Sequence, residues 1–445
     1  MRARLSSTAL AAAFLIGACI GGGGVAAPGS SDSKGIPQPV VPHLDVAPES
    51  QRVDLRVPTF SQPTEVTNPL FPVSRQASVL FLGHVEGKPF RTEVTLLPET
   101  RIVQWEGQRV ETLVSQYMAY LGGRIQEVAY DLYAQADDGS VWYFGEDVAD
   151  FEGGAIVTKE GTWIVGKDGP AAMIMPADPK VGNAYRTENT PGIAFEQVTV
   201  TSVDRTLDGP LGPIDGGLVA EELHMDGTTE QKLFAPGYGE FFTAGGGDVE
   251  ALALAVPTDG ASDPLPAELV TLERGATAVF DAARSSDWHA ASSTVGRMKT
   301  AWDAYGATDV PTLIRPMMTR VLSALDRAVR ARDIARARQA AIDVAQSTLD
   351  LELRYRPASE VNLARLDLWA AQLLVDAAGR DAGAVRGDVF TLGYIRDRIL
   401  NALNPAGFTA MNIQLGRLQT ASVDGALARA SRAARKLRAV TAGLV

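Results

Sequence analysis

The pattern of apolar and polar residues divides the chain into two regions with different periods. Over residues 58–256 the two kinds alternate in short stretches that end at Gly-Gly or Asp-Gly pairs. A two-residue period interrupted by such turns is typical of strands joined by tight hairpins. The sequence therefore predicts an antiparallel β meander, curved as a half-barrel or folded as a sandwich. Strands are expected within 77–86, 90–97, 115–121, 124–135, 141–144, 161–166, 195–204, 217–225 and 229–235.

Residues 266–445 instead show the period of amphipathic helices. A short segment rich in Ala and Arg recurs there and ends each time in an aspartate, namely Asp287, Asp333 and Asp381. An aspartate at the start of a helix accepts hydrogen bonds from the free backbone N–H groups. The repeat therefore predicts three or four helical hairpins, the fourth starting at Asp424, which stack as an array or close into a bundle.

These patterns predict an α+β fold with separate domains. A β domain is expected over 58–256 and an all-α domain over 266–445, joined by a linker at 257–265. Residues 19–57 are rich in Gly, Ser and Pro and contain few apolar side chains, so they are predicted to form a flexible tether.

Residues 1–18 have the layout of an export signal. Arg2 and Arg4 precede an apolar run that ends at Ala18 and is too short to span a bilayer. The run closes with Ile16-Gly17-Ala18-Cys19, which resembles the signal of bacterial lipoproteins. That resemblance implies cleavage before Cys19, a diacylglycerol on its sulfur and an additional amide-linked chain.

The lipid implied on Cys19 bears on where the protein resides. Two or more acyl chains hold a protein on a membrane where one chain does not. Cys19 is the only cysteine, which favours this interpretation over an ordinary secretory signal cleaved within 24–27. We therefore expect an exported, lipid-anchored protein of the cell envelope. In a Gram-negative cell, Ile20 in place of an acidic residue favours the outer membrane.

Several segments of the β region resemble a recurrent, uncharacterised domain of secreted bacterial proteins. The resemblance spans about 190 residues and implies architecture and location but no chemistry, since that family has no established activity. The helical region is assigned to no family. The segments that carry the resemblance are Asn68-Pro69-Leu70-Phe71-Pro72, Asp131-Leu132-Tyr133-Ala134-Gln135, Gly139-Ser140-Val141-Trp142-Tyr143-Phe144-Gly145-Glu146-Asp147, Met175-Pro176-Ala177-Asp178-Pro179 and Phe234-Ala235-Pro236-Gly237-Tyr238-Gly239.

Composition and charge narrow the function classes. The chain has 445 residues of which 46% are hydrophobic, enough for packed cores, so a wholly disordered chain is excluded. The formal charge of −12 argues against a nucleic-acid partner. The charge is uneven, because residues 1–265 contain 35 acidic and 17 basic side chains whereas 266–445 contain 18 and 24.

The last predicted helix carries most of the positive excess. Arg429, Arg432, Arg435 and Lys436 recur every three or four residues and so share one helix face. This face is a candidate surface for anionic lipid headgroups or for an acidic partner. The alternative is the solvated face of a terminal helix.

The aromatic run at 142–144 is the candidate ligand site of the β region. In a strand, Trp142 and Phe144 point to one face and Tyr143 to the other. Together with Trp163 they are predicted to line a concavity for an apolar ligand. The alternative is that both faces are packed as core.

We expect neither a metal site nor a cofactor, and no catalytic residue is assigned. One cysteine and four histidines exclude Cys-based zinc sites, and the chain contains no GxSxG, HExxH or P-loop motif. His224 and His84 are read as chance placements. The acidic run Glu146, Asp147, Asp150 and Glu152 is expected to form a solvated turn rather than a Ca²⁺ site.

The sequence thus predicts a lipid-anchored envelope protein that acts as a non-catalytic binding or scaffold module for an envelope partner. One alternative is a carrier of an apolar small molecule or lipid, held in a cradle formed by a curved sheet. A further alternative is a hydrolase whose site has no recognisable motif.

Overall fold

The computed structural model describes residues 44–444 and places one 14-stranded antiparallel sheet before eight helices. This confirms the α+β class and the order of its two parts. The strands are β1 Ser78–Val85, β2 Lys88–Trp105, β3 Gln108–Leu121, β4 Arg124–Gln135, β5 Val141–Glu152, β6 Ala155–Thr158, β7 Trp163–Ile164, β8 Ala172–Met175, β9 Ala184–Thr190, β10 Ala194–Gly209, β11 Gly212–His224, β12 Thr229–Ala235, β13 Gly239–Gly245 and β14 Asp248–Val256. The helices are α1 Ala267–Arg284, α2 Trp288–Tyr305, α3 Ile314–Arg330, α4 Ile334–Glu352, α5 Ala358–Ala378, α6 Ala382–Asp397, α7 Pro405–Val423 and α8 Leu427–Thr441.

Two meanders form the sheet. Their strand order is β6-β5-β4-β3-β2-β1-β14-β13-β12-β11-β10-β9. The first and last strands in the chain, β1 and β14, pair with each other and so join the two meanders. The short strands β7 and β8 lie outside this order and also pair with β5. The sheet stays open but curls, because Glu146 of β5 and Glu188 of β9, near opposite ends of this order, face each other. We call the inner side of the curl the concave face and the outer side the convex face.

Both faces of the central strands are covered. Tyr117 of β3 lines the inside of the curl, whereas its neighbour Met118 packs with helical residues such as Trp369 and Phe390. The near-continuous apolar run of β3 follows from this double burial, since a strand covered on both sides has no solvated face to fill with polar residues.

The eight helices form two antiparallel four-helix bundles, α1–α4 and α5–α8, which meet along α4 and α5. The predicted repeat is confirmed. Asp287, Asp333 and Asp381 cap α2, α4 and α6 by accepting a hydrogen bond from the backbone N–H three residues later. The fourth hairpin has Ala426 at the equivalent position, two residues after Asp424, and this alanine provides no side-chain cap.

The convex face of the sheet packs against α4, α5 and α6. Tyr120 stacks on Trp369 with ring centroids 5.3 Å apart, and Phe151 meets Phe390 edge to face. Arg124 of β4 donates two hydrogen bonds to the carboxylate of Asp376. Apolar and ionic contacts therefore join the β and α parts into one packed unit.

The segment before β1 lies along the sheet. Arg52 forms a parallel bridge with Ala184 at the edge of β9, and Asp54 accepts a hydrogen bond from the backbone of Arg186. The predicted tether, residues 19–57, overlaps this hydrogen-bonded segment, which begins near Ala47. The predicted signal and Cys19 lie outside the described residues.

The predicted linker 257–265 forms hydrogen bonds with both the sheet and the helical part. Asp259 accepts hydrogen bonds from the hydroxyl of Tyr238 and the backbone of Ala255, and Ala261 donates to the carbonyl of Arg354.

Over residues 44–444, no helix combines the length and apolarity needed to cross a membrane.

Candidate functional site

Ionisable side chains gather on the concave face of the sheet. Cross-strand register brings them together: Glu196 lies opposite Glu188 of β9 and opposite His224 of β11, and Glu222 shares the face of His224 two residues away. We call the buried group the concave cluster. It comprises Asp131, Glu146, Glu188, Glu196, Glu222, His224, Lys232 and Glu250.

His224 is held between two carboxylates. Its Nδ1 is 3.1 Å from Oε1 of Glu196, and its Nε2 is 3.6 Å from Oε2 of Glu230. Burial alone lowers the pKa of a histidine, but the interactions with Glu196 and Glu230 outweigh it and raise the pKa of His224 to about 11. In the absence of any other cation, this imidazole is positively charged at neutral pH.

Lys232 supplies the other positive charge of the concave cluster. Its Nζ is 3.0 Å from Oε2 of Glu222 and 3.3 Å from Oε1 of Glu240, and the side chain is only 5% exposed. Burial, followed by repulsion from Glu196, raises the pKa of Glu222 to about 7 despite this ion pair. The hydroxyl of Thr187 is 3.4 Å from both Glu196 and Glu222 and so links the histidine and lysine sides.

Glu146 and Glu188 form a second buried pair. Both are 0% exposed and lie close enough to share a proton, the indole of Trp163 lies beside Glu188, and no basic side chain pairs with either carboxyl among the described residues. Burial first, and then mutual repulsion with neighbouring carboxylates, raises both pKa values well above the usual range. The expectation of a solvated acidic turn is therefore wrong for Glu146. The curl of the sheet, which the local sequence does not encode, places it inside.

Two more carboxyls complete the concave cluster. The hydroxyl of Tyr143 donates a 2.8 Å hydrogen bond to Asp131, whose pKa burial raises to about 7. Burial, with repulsion from Glu240, raises the pKa of Glu250 to about 8. The concave cluster therefore holds six carboxyls against two basic groups, and it favours bound protons or other cations.

A small cavity of about 80 Å³ is lined by five members of the concave cluster, Asp131, Glu196, Glu222, Lys232 and Glu250, and not by the other three. Its polar wall includes Asp131, Thr187 and Lys232, and its apolar wall includes Phe71 and Tyr133. A water molecule occupies about 30 Å³ of liquid, so the cavity has room for an ion with a few waters or for a small polar group.

A larger cavity of about 530 Å³ lies between the sheet and α6. Glu127 and Asp388 line it, and burial raises the pKa of each well above its usual range. Burial also raises the pKa of Asp150 there to about 6. This cavity is therefore acidic as well.

The predicted aromatic cradle is divided between two faces. Trp142 and Phe144 lie on the convex side of β5 and pack against Trp105. Trp163 lies on the concave side, edge to face with Tyr143. All are buried, so these aromatic rings do not form one exposed surface for an apolar ligand.

The basic residues predicted on the last helix lie where the periodicity places them. Arg429, Arg432, Arg435 and Lys436 are exposed on α8, while its apolar side is buried in the second bundle. Arg429 forms an ion pair with Asp424, which leaves the other cations as the accessible part of this face.

Sequence reasoning missed most of the concave cluster. In β11, Leu218, Ala220, Glu222 and His224 alternate on the buried face. The sequence did contain a signal, namely charged residues at positions where the alternation of the strand points inward. A charged side chain that is buried needs an ion-pair or hydrogen-bond partner, so such positions indicate a buried polar site.

The comparisons with known proteins add no relative to this description. No family model matches the chain, and neither a curated protein nor a solved structure matches it.

Proposed function

We propose that this chain is a lipid-anchored protein of the cell envelope that acts as a non-catalytic binding module, with a small cationic ligand held on the concave face. The observation that carries the proposal is the excess of buried carboxyls over basic groups in the concave cluster. Glu146 and Glu188 are the clearest case, since both are fully buried and no basic side chain pairs with either among the described residues.

The cost of burial explains why a cation fits there. An isolated ionised carboxylate in an apolar interior is so unfavourable that it takes up a proton or finds a positive partner. The raised pKa values of Glu222 and Glu250 show that protons compensate part of this charge in the protein alone. A cationic ligand would replace those protons and gain direct ion pairs.

The size of the cavity favours the same ligand class. Pockets for drug-sized or lipid molecules have volumes of about 300 to 1,000 Å³, against about 80 Å³ here. An apolar carrier would need a wider and less charged interior on this face. The ligand we propose is accordingly an inorganic cation or a small amine.

Membrane attachment is the other half of the proposal. The segment Ile16-Gly17-Ala18-Cys19, which resembles a bacterial lipoprotein signal, would direct a lipid to Cys19. The exposed basic side chains of α8 would then bind anionic lipid headgroups. In cells, Cys19→Ala is expected to move the protein from the membrane fraction to the soluble fraction. Full retention of this variant in the membrane fraction would contradict the lipid anchor.

The ligand is tested on the full chain purified in detergent. Thermal unfolding is followed with K⁺, Ca²⁺, Zn²⁺, methylammonium and putrescine, and native mass spectrometry measures stoichiometry. We expect at least one cation to raise the unfolding temperature saturably with one ligand per chain. Glu188→Gln should at least halve that shift, whereas Glu221→Gln, exposed on the other face of β11, should leave it unchanged. A chain that no cation stabilises, or a shift that Glu188→Gln leaves intact, would contradict the proposal.

A further inference from the structure

Glu196, Glu222 and His224 form a compact set of metal-ligating side chains within the concave cluster. One ligand atom from each residue lies within 4.8 Å of the other two, and all three residues are buried. We propose that these three residues bind a divalent transition-metal ion, with Zn²⁺ as the fitting representative. The inference rests on the proposed function, because it names the cation that the concave face takes.

Interatomic distances fit such an ion. Zinc binds imidazole nitrogen and carboxylate oxygen at about 2.0 to 2.2 Å, so two ligand atoms of a tetrahedral site lie about 3.4 Å apart. Nδ1 of His224 and Oε1 of Glu196 are 3.1 Å apart. A side-chain movement of a few tenths of an ångström admits the metal between them.

The surroundings of His224 supply the second shell of a metal site. Metal-ligating histidines donate their other ring N–H to a carboxylate, which fixes the tautomer and the ring orientation. With Nδ1 on the metal, Nε2 points at Oε2 of Glu230, 3.6 Å away. In the protein alone Nε2 makes no hydrogen bond although the side chain is 3% exposed.

An independent observation is the carboxylate of Glu188. It lies directly opposite Glu196 across β9 and β10, is fully buried, and is paired with no basic side chain among the described residues. Three protein ligands leave a fourth position on a tetrahedral ion. Glu188, or a water bound to it, would face that position.

The charges balance better with a divalent ion than without one. Glu196, Glu222, Glu230 and Glu240 surround His224 and Lys232, and each of the four is ion-paired with one of these two basic side chains. A bound divalent ion would take the place of the imidazolium proton and add one net positive charge. Mixed imidazole and carboxylate ligands favour Zn²⁺ or Mn²⁺ over Ca²⁺, which takes six to eight oxygens.

Calorimetric titration of the full, EDTA-treated chain in detergent with Zn²⁺ tests the assignment. We expect one Zn²⁺ per chain with micromolar or tighter affinity. Glu196→Gln and His224→Gln should each weaken binding by at least 100-fold, and Glu230→Gln by about 10- to 100-fold. His84→Gln is the matched control, because His84 is an exposed histidine of the same sheet and should leave the affinity unchanged.

A measurement on the unaltered chain keeps the test independent of variant folding. X-ray absorption at the zinc edge should show one histidine and oxygen ligands and no sulfur. Absence of a histidine shell, or wild-type affinity in folded His224→Gln, overturns the metal site. If Zn²⁺ fails to bind while an amine or another cation stabilises the chain, this inference is overturned and the proposed function stands. If no cation stabilises it, both are overturned.

Discussion

Arg398 donates a 2.6 Å hydrogen bond from Nη1 to Oε2 of Glu93, and this pair joins the end of α6 to β2 in the interior. Arg91 and Arg365 also pair with Glu93, and both contact Asp350 of α4 as well. Burial by itself raises the pKa of Glu93, but the surrounding guanidinium groups hold it well below its usual range. Two carboxylates and three guanidinium groups thus connect the sheet with the helices.

Glu93→Gln should destabilise the whole chain, because it leaves the buried Arg398 without its main counter-charge and removes one of the two carboxylates that pair with Arg365. Breaking one partner of a buried ion pair typically costs about 3 to 5 kcal/mol. Urea unfolding at neutral pH measures the loss. Glu99→Gln, at an exposed position of the same strand, should change the free energy of unfolding by less than about 0.5 kcal/mol. Equal stabilities of the two variants would show that the network contributes nothing net.

Stability should fall as pH rises from about 4.5 to 8, owing to the concave cluster. Burial raises the pKa of Glu250 to about 8 and that of Asp131 to about 7, whereas both titrate near 4 in an unfolded chain. In this window the folded state retains protons that the unfolded state has released. Their stabilising effect is complete below the unfolded pKa and is lost as pH rises through the folded pKa.

Glu250→Gln isolates one contribution to this slope. Glutamine stays neutral at every pH. Between about pH 5 and pH 8 the free energy of unfolding should therefore fall less in the variant than in the wild type, and the difference between the two decreases should reach up to about 4 kcal/mol. Urea unfolding at several pH values measures it. Glu221→Gln, on the exposed face of β11, should keep the wild-type slope. A slope unaltered by Glu250→Gln would contradict a neutral Glu250 in the folded state.

Local patterns predicted most of the fold. The repeat marked by Asp287, Asp333 and Asp381 located three hairpin turns, because helix capping depends only on neighbouring backbone groups. Two-residue alternation located β1, β4 and β12 to within one residue at each end, since it depends on one covered face, whereas it missed five residues at one end of both β10 and β11. The extension of β2 to Trp105 was missed, because residues 98–102 are all exposed and interrupt the alternation, which resumes only at Val103 and Trp105.

The site escaped prediction because it depends on contacts between distant strands. Glu146 and Glu188 face each other only through the curl of the sheet, and nothing within either strand encodes that meeting. The same holds for Trp142 and Trp163, whose rings lie on opposite faces of β5. Periodicity assigns a residue to a face, but it does not tell which other strand that face meets.

The fourth hairpin offers a substitution that should stabilise the protein. Ala426 has φ −88° and ψ 70°, close to the −82° and 76° of Asp287, yet it provides no side-chain cap for α8. Ala426→Asp should therefore add a cap and stabilise the fold by about 0.5 to 1 kcal/mol. Urea unfolding measures the gain. Ala439→Asp, at an exposed position in the last turn of the same helix, should destabilise slightly because its charge opposes the helix dipole.

The turn between β5 and β6 fits against α6 too closely to accept a side chain. A Cβ on Gly154 would overlap the carbonyl oxygen of Gly383 and crowd the backbone of Gly387, whereas one on Gly153 would meet nothing. Both glycines have positive φ, so alanine at either position carries a strain of about 1 to 2 kcal/mol. Gly154→Ala must in addition separate the turn from the helix.

Gly154→Ala should consequently lower the free energy of unfolding by about 3 kcal/mol or more, and Gly153→Ala by only the strain that they share. Urea unfolding compares the two, and hydrogen exchange of the first turn of α6 reports the contact itself. Faster exchange there should appear in Gly154→Ala alone, because only that side chain reaches the helix. Similar losses and similar exchange in both variants would mean that the turn does not rest on α6.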